Sequence, residues 1–352
     1  MKNERIADHR IKSLLVITLS LLISSCNAQG NKNNTPNTLP PLITRQSPEQ
    51  ISQVVRMMFQ DSRGVIWFGT EGGTFRLTED KLIRIEGIKS ESGERTTIKH
   101  ITEDNDGAIW FAHTDGISSV KGENVINYYE SDGLISNDVW CITADSEGII
   151  WIGTIKGACI FNGKEFIKFD LPEGIKDTTL GVSGTKMVHN ITQDSKGTIW
   201  FSTNAGLFSY AENTLVNVSE KTGIQTNFVN EIFEDSRGNI WVSTKQGLYT
   251  LAENKAINIT EGKIETGKGT GSIAEDKEGK IWFVSNQHYL FVYDGKELKE
   301  FQKSDDNKGP VVFQIFKDRQ SRLWFVGAGG AYRLENEKFI NITKEGPGKI
   351  TM

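Results

Sequence analysis

Residues 61–73 read DSRGVIWFGTEGG, and the phrase returns as DNDGAIWFAHTDG (104–116), DSEGIIWIGTIKG (145–157), DSKGTIWFSTNAG (194–206), DSRGNIWVSTKQG (235–247), DKEGKIWFVSNQH (276–288) and DRQSRLWFVGAGG (318–330). Every copy sets an aspartate six residues before a tryptophan, with Ile or Leu directly ahead of the indole. The tryptophans are Trp67, Trp110, Trp151, Trp200, Trp241, Trp282 and Trp324, spaced 43, 41, 49, 41, 41 and 42 residues apart. Repetition at such a period signals stacked or ring-closed supersecondary units, and it outranks the two-domain expectation raised by a length of 352 residues.

Working outward from the phrase, each unit resolves into four short strands. The first carries apolar residues twelve and nine positions before the tryptophan, as Val139 and Ile142 do in the third copy. The D-S-x-G turn follows, its Asp bonding local amides and its Gly supplying a positive φ. The I-W-F stretch is the second strand; its consecutive apolar residues imply burial on both faces. A third strand follows the next glycine, and a fourth is expected over Asn124 to Tyr129, Leu215 to Val218 and Phe339 to Thr343. Four strands, a period near 42 and seven copies predict an all-β fold, a seven-bladed β-propeller of four-stranded antiparallel blades. A β-solenoid would use shorter repeats and polar caps, and no cap is evident. Closure is expected through packing of complete first and last blades, with a short extra strand near Leu42 to Arg45 as the alternative.

The first residues form a separate unit. Lys2, Arg5, Arg10 and Lys12 precede an apolar run from Leu14 to Ile23, half the length of about 20 residues that a spanning helix needs. Ile23-Ser24-Ser25-Cys26 resembles the bacterial lipoprotein signal, in which a cysteine follows small residues so that its sulfur takes the diacylglycerol. The expected organisation is a signal over 1–25, a flexible tether over 26–47 beginning at lipidated Cys26, and a propeller over 48–352. Asn27 after the cysteine favours the outer membrane. Several acyl chains anchor stably where a single chain is marginal.

Removing a signal with four basic and two acidic residues leaves the body two units more negative than the −5 of the whole chain. An acidic body with no basic stripe excludes nucleic acid as an expected partner. Cys141 and Cys159 fall on the first and third strands of one blade, too far apart for a disulfide, and are expected free and buried. The repeated aspartates do not bring together the oxygens of a calcium site, so no metal or cofactor is expected.

The D-S-x-G-x-I-W-x-G-T-x-x-G phrase resembles the two-component regulator propeller repeat, known from the periplasmic sensor halves of bacterial hybrid histidine kinases. The resemblance runs from about residue 50 onward and implies a sensing module for carbohydrate breakdown products. No membrane helix, kinase or DNA-binding segment is recognised alongside it, so signalling does not carry over.

Identical positions build the scaffold, and unequal ones are candidates for recognition. The repeated indoles are read as core. Eleven positions before them stand Arg56, Lys99, Trp140, His189, Asn230, Gly271 and Phe313. Arg56, Lys99, Trp140, His189, Asn230 and Phe313 are the candidate ligand-binding residues, since an aromatic plane with donors and acceptors suits a sugar. A second tier lies between strands two and three: Glu71, His113, Asp115, Lys156, Asn204, Lys245 and His288, each read as an exposed turn residue. The loop from Leu171 to Lys186 accounts for the 49-residue interval.

Enzymatic readings are weaker. The phrase also resembles streptogramin lyases, but His100, His113, His189 and His288 fall in different registers without the paired Glu that family requires. The sialidase turn is similar in shape only, because here Asp lies three residues before Gly and not two. The sequence therefore points to a non-enzymatic envelope binding module whose partner is a small ligand, most readily a glycan, or an envelope protein. Replacing Cys26 with Ala is expected to shift the protein from the membrane fraction to the soluble fraction; continued sedimentation with membranes refutes the lipid anchor.

Overall fold

The computed structural model describes residues 51–78, 81–175, 184–224, 226–265, 267–302 and 311–345. The signal over 1–25, Cys26, the tether over 26–47 and the strand considered near Leu42 to Arg45 lie outside the described residues. The strands form seven antiparallel sheets of four, each taken in chain order from its innermost to its outermost strand. Blade 1 consists of β1 (Val55–Gln60), β2 (Ile66–Thr70), β3 (Gly73–Thr78) and β4 (Lys81–Ile85). The later blades begin at Val139, Val188, Val229, Thr270 and Val311 after a second blade that starts at Ile98. The fold is the expected seven-bladed propeller.

The second strand of each blade is buried nearly throughout, because both of its faces meet another blade. Six of the seven repeated indoles are at most 7% exposed, and Trp200 is half-buried. Each indole Nε1–H donates to Oδ2 of the aspartate six residues earlier, at 2.7–3.1 Å in all seven blades. Oδ1 of the same carboxylate accepts two backbone N–H groups of its own turn, those of Glu147 and Ile149 in the third blade. One side chain thus shapes the hairpin and satisfies the polar edge of the core.

Neighbouring blades are stitched at the turn end. The backbone N–H and hydroxyl of Ser62, Ser195 and Ser236 all donate to a carboxylate on the next inner strand, those of Glu103, Glu234 and Glu275. Ser146 N–H uses Gln193 in the same way. The ring closes by the same device, Arg319 N–H donating to Gln60 at 2.8 Å. A backbone bridge between Val54 and Ala328, and an apolar cluster holding Met58 and Phe68 against Trp324 and Val326, complete the closure. Whole first and last blades therefore meet, as expected, with backbone pairing added to the packing.

The fourth strands end earlier than the sequence reading placed them. They are Asn124–Tyr128, Thr214–Asn217 and Lys338–Asn341, and a helical turn takes over at Val218–Thr222 and Ile342–Glu345. Asn217 caps the first of these turns by accepting from Glu220 N–H, which stops the strand there. Cys141 and Cys159 are free and buried, and burial pushes the Cys159 thiol up to about 11.

Asp145, at 7% exposure, ties two turn amides to the Trp151 indole. Asp145→Ala leaves those three donors without a partner and is expected to lower unfolding free energy by about 3 kcal/mol. Chemical denaturation checks this, and a loss below about 1 kcal/mol would show that the clamp is dispensable.

Candidate functional site at the propeller hub

Each inner strand carries a β-bulge at one place. Pairing skips Arg56, Lys99, Trp140, His189 and Asn230 in blades 1 to 5, Gly271 together with Ser272 in blade 6, and Phe313 in blade 7. A bulge leaves its extra residue out of the ladder and re-aims the side chain. Here the core residues on either side, such as Val188 and Ile191, keep facing the neighbouring blade. The residue between is released toward the hub.

Five of the released side chains touch another of their number, in two groups. The Arg56 guanidinium lies 4.7 Å over the Phe313 ring and pairs with Glu71 at 2.6 Å. Lys99 sits 4.0 Å over the Trp140 ring and hydrogen-bonds Asp138. Burial lowers the Lys99 pKa against the opposing pull of Asp138. Trp140 meets His189 edge-on, with centroids 6.5 Å apart, and His189 packs 4.6 Å from Phe228. Lys245 Nζ stands 5.0 Å over the same Phe228 ring. Asn230 donates through Nδ2 to the Thr270 carbonyl. The circuit is interrupted at blade 6, where a Cβ placed on Gly271 would meet nothing nearer than 4.0 Å.

His189 is held neutral. Burial takes its pKa to about 4, and Lys245 pushes the same way. Asn204 Nδ2 donates to the Gly184 carbonyl, which turns Oδ1 toward His189 Nε2 at 2.6 Å and puts the ring proton on Nε2. Trp140 keeps 38% exposure, so an aromatic surface remains open at the mouth.

A second layer lies one residue deeper in the inner strands of blades 2, 5, 6 and 7. Gln314 accepts from Met58 N–H at 2.7 Å, Ser272 from Ile315 N–H at 3.0 Å, and Glu231 from Ile273 N–H. His100 donates to the Ile142 carbonyl while its Nδ1 has no partner. These side chains occupy the otherwise unpaired edge of the next inner strand. Burial raises Glu231 to about 7 and lowers His100 to about 4.

All six candidate residues are bulge residues; five of them contact another of the six, Arg56 with Phe313 and Trp140 with both Lys99 and His189, while Asn230 bonds the Thr270 backbone. The second tier is corrected in four places: His113 is wholly buried beside Ser118 at 3.0 Å, Asn204 is 2% exposed, and Asp115 and Lys245 are half-buried, so none of the four is an exposed turn residue, whereas Glu71, Lys156 and His288 are exposed; His113 and Asn204 lie deepest. Both point inward to secure their own blades. Phe228 and Asp138 were missed, although each stands thirteen positions before its tryptophan, two before the residues compared. The signal was present in the spacing: apolar residues twelve and nine positions ahead cannot share one face of a regular strand, since an odd interval flips sides, and only a bulge reconciles them. Of the loop from Leu171 to Lys186, residues 176–183 lie outside the described residues. Its described ends are joined by Gly174 N–H to Thr185 O at 2.7 Å and by Lys186 with Glu173 at 2.7 Å.

Residues 49–72, 133–156, 181–205 and 223–246 match the family model described as two component regulator propeller. The chain carries two component regulator propeller repeats. These matches span the inner and second strands of blades 1, 3, 4 and 5, where the bulge and the Asp–Trp clamp lie. No curated protein matches the chain. Among solved structures, it is similar to the extracellular domain of a protein of B. thetaiotaomicron described as a one component system, at 18% identity and TM-score 0.64, covering 81% of this chain and 40% of that one. The extracellular domain of a B. thetaiotaomicron hybrid two component system aligns at 21% identity and TM-score 0.62, covering 83% and 41%. The propeller thus spans about two fifths of those sensor domains. A catalytically inactive virginiamycin B lyase from Staphylococcus aureus, solved with quinupristin, aligns at 19% identity and TM-score 0.54, covering 68% and 82%. At these identities the likeness shows a shared fold and nothing of function.

Glu231 gives the hub a measurable pH signature. Its folded pKa of about 7 lies above the ordinary 4.5, so its contribution to stability is complete below pH 4.5 and lost as pH rises through 7. Relative to wild type, Glu231→Gln is expected to gain roughly 3 kcal/mol between pH 4.5 and pH 8. Parallel stability profiles for the two proteins would place the titration elsewhere.

Proposed function

We propose that this chain is a non-enzymatic binding module of the bacterial cell envelope, lipid-anchored at Cys26 to the outer membrane, that captures a small ligand, carbohydrate first, at the hub. The observation that carries the reading is the bulge repeated in all seven inner strands, which turns the least equal residues of an otherwise uniform ring toward one mouth. That mouth offers an exposed indole, a neutral imidazole, an amide and cations, with a gap at Gly271. Sugars present apolar C–H faces and hydroxyls together, and such a lining meets both. Similarity to extracellular sensor domains supports an envelope setting. Among the described residues no helix is long and apolar enough to cross a membrane, which accords with a lipid as the anchor.

Docking of an envelope protein is the second reading, favoured by the rim. Ile83, Ile126, Ile167, Val216 and Ile257 occupy one register of the outermost strand in blades 1 to 5 and are 37–52% exposed. Lys299 stands in that register in blade 6. A lyase reading lacks a comparable support: His100, His113 and His189 bond a backbone carbonyl, Ser118 and Asn204, and none of the three meets a carboxylate.

A thermal-shift panel of neutral and acidic saccharides tests the hub against the rim, because a ligand bound to the folded state raises its melting temperature by mass action. Wild type is expected to respond to at least one saccharide, Trp140→Ala to lose at least tenfold in affinity, and Gly271→Phe to block the mouth without unfolding the ring. A response untouched by both substitutions removes the hub as the site. Silence across the panel with one protein co-purifying through the rim isoleucines replaces this reading with the second.

A further inference from the structure

The charges around the hub are unevenly compensated. On the arc of blades 1 to 3, Arg56 pairs with Glu71 and Lys99 with Asp138. Lys245, in the turn between the second and third strands of blade 5, differs: among the described residues no carboxylate lies within 4.0 Å of its Nζ, which stands over the Phe228 face at 5.0 Å. Its stem packs beside Gly269, where an added Cβ would come within 3.2 Å of Lys245 Cδ. The ammonium is half-buried, and burial lowers its pKa with no neighbouring acid to offset the loss. The neutral His189 packs against the same Phe228 ring, and the Asn230 amide, two residues after Phe228, donates to the Thr270 carbonyl. Gly269 leads through Thr270 directly to the gap at Gly271.

A partly desolvated cation without a counter-ion is unusual in a fold that pairs its other hub cations, and the missing charge belongs on whatever fills the gap. We propose that the hub ligand carries a carboxylate, placed against Lys245 beside the Gly271 gap, so that the preferred class is an acidic saccharide such as a uronic acid unit. This rests on the hub reading given above and narrows it. The Phe228 face lies under the Lys245 ammonium and against His189, and Asn230 bonds the carbonyl of Thr270 next to the gap, so these groups are the ones offered to the hydroxyls of the same sugar ring. The body's acidic surface repels free anions, so selection for a carboxylate is a local property of this arc and not of net charge.

The test uses the mature chain and matched probes: glucuronic acid with glucose, galacturonic acid with galactose, and a tripeptide with free or amidated C-terminus to separate sugar from peptide as the carboxylate's source. Affinities are read by calorimetry and ligand-observed NMR for wild type, Lys245→Met and Trp140→Ala, with Lys299→Met as a rim control and circular dichroism to confirm folding. Expected is at least a tenfold preference for an acidic sugar over its neutral partner, lost in Lys245→Met, kept in Lys299→Met, and weakened by added salt. Equal binding of both members of each pair, or an acid preference that survives Lys245→Met, overturns the carboxylate proposal while leaving Trp140-dependent sugar binding intact. Lys245-dependent binding of the peptide carboxylate alone upholds the anion subsite and overturns the saccharide class. If no probe binds in a Lys245-dependent way, the proposal fails.

Discussion

The bond from each repeated indole to the aspartate six residues before it is the constraint on which the ring depends. Burying a tryptophan between two blades removes a large apolar surface from water, but its N–H must find an acceptor. The aspartate supplies one with Oδ2, and Oδ1 simultaneously takes two amides of the hairpin. A neutral side chain would not provide two acceptor oxygens of this strength. The turn, the second strand and the inter-blade core are therefore fixed by one group per blade, which is why the phrase containing both residues recurs while much of the remaining sequence drifts.

Because that clamp is local, the architecture was legible in the sequence. Asp and Trp lie six residues apart, so each copy announces itself without any knowledge of its neighbours. What holds the copies to each other was not legible for the same reason. Ser62 and Glu103, or Ser236 and Glu275, stand 41 and 39 residues apart, and nothing in either local stretch names the other as its partner. The serine of D-S-x-G looks like turn chemistry alone until the next blade brings up a carboxylate. His113 illustrates the converse error: its position in a turn-like stretch suggested exposure, whereas it closes the second strand and points into its own blade beside Ser118 and Asn127.

The hub was half legible. Comparing copies singled out the column at which the inner strands bulge, where the residue is free to vary. Phe228 and Asp138, which join these contacts, precede the bulge by two positions and stand one residue ahead of the inner strands of blades 5 and 3. Lys245 belongs to a different segment, the turn between the second and third strands, and its place beside Phe228 follows from the stacking of strands within blade 5. Spacing along the chain does not encode that proximity.

The frame of this ring and its hub are built by separate sets of residues. Asp–Trp clamps and the serine–carboxylate stitches depend on backbone periodicity and are indifferent to what occupies the bulge. The bulge residue makes no ladder bond of its own, so its replacement leaves the hydrogen-bonded frame in place. Gly271 shows the limit of this freedom: with no side chain, it opens the circuit instead of contributing to it, and its backbone is not in the left-handed region, so a larger residue fits without strain. The unequal positions of the hub are those the scaffold releases by construction, and beside them Lys245, in the turn between two strands, is the cation for which no carboxylate lies within 4.0 Å among the described residues, which distinguishes this mouth from an equally shaped neutral one.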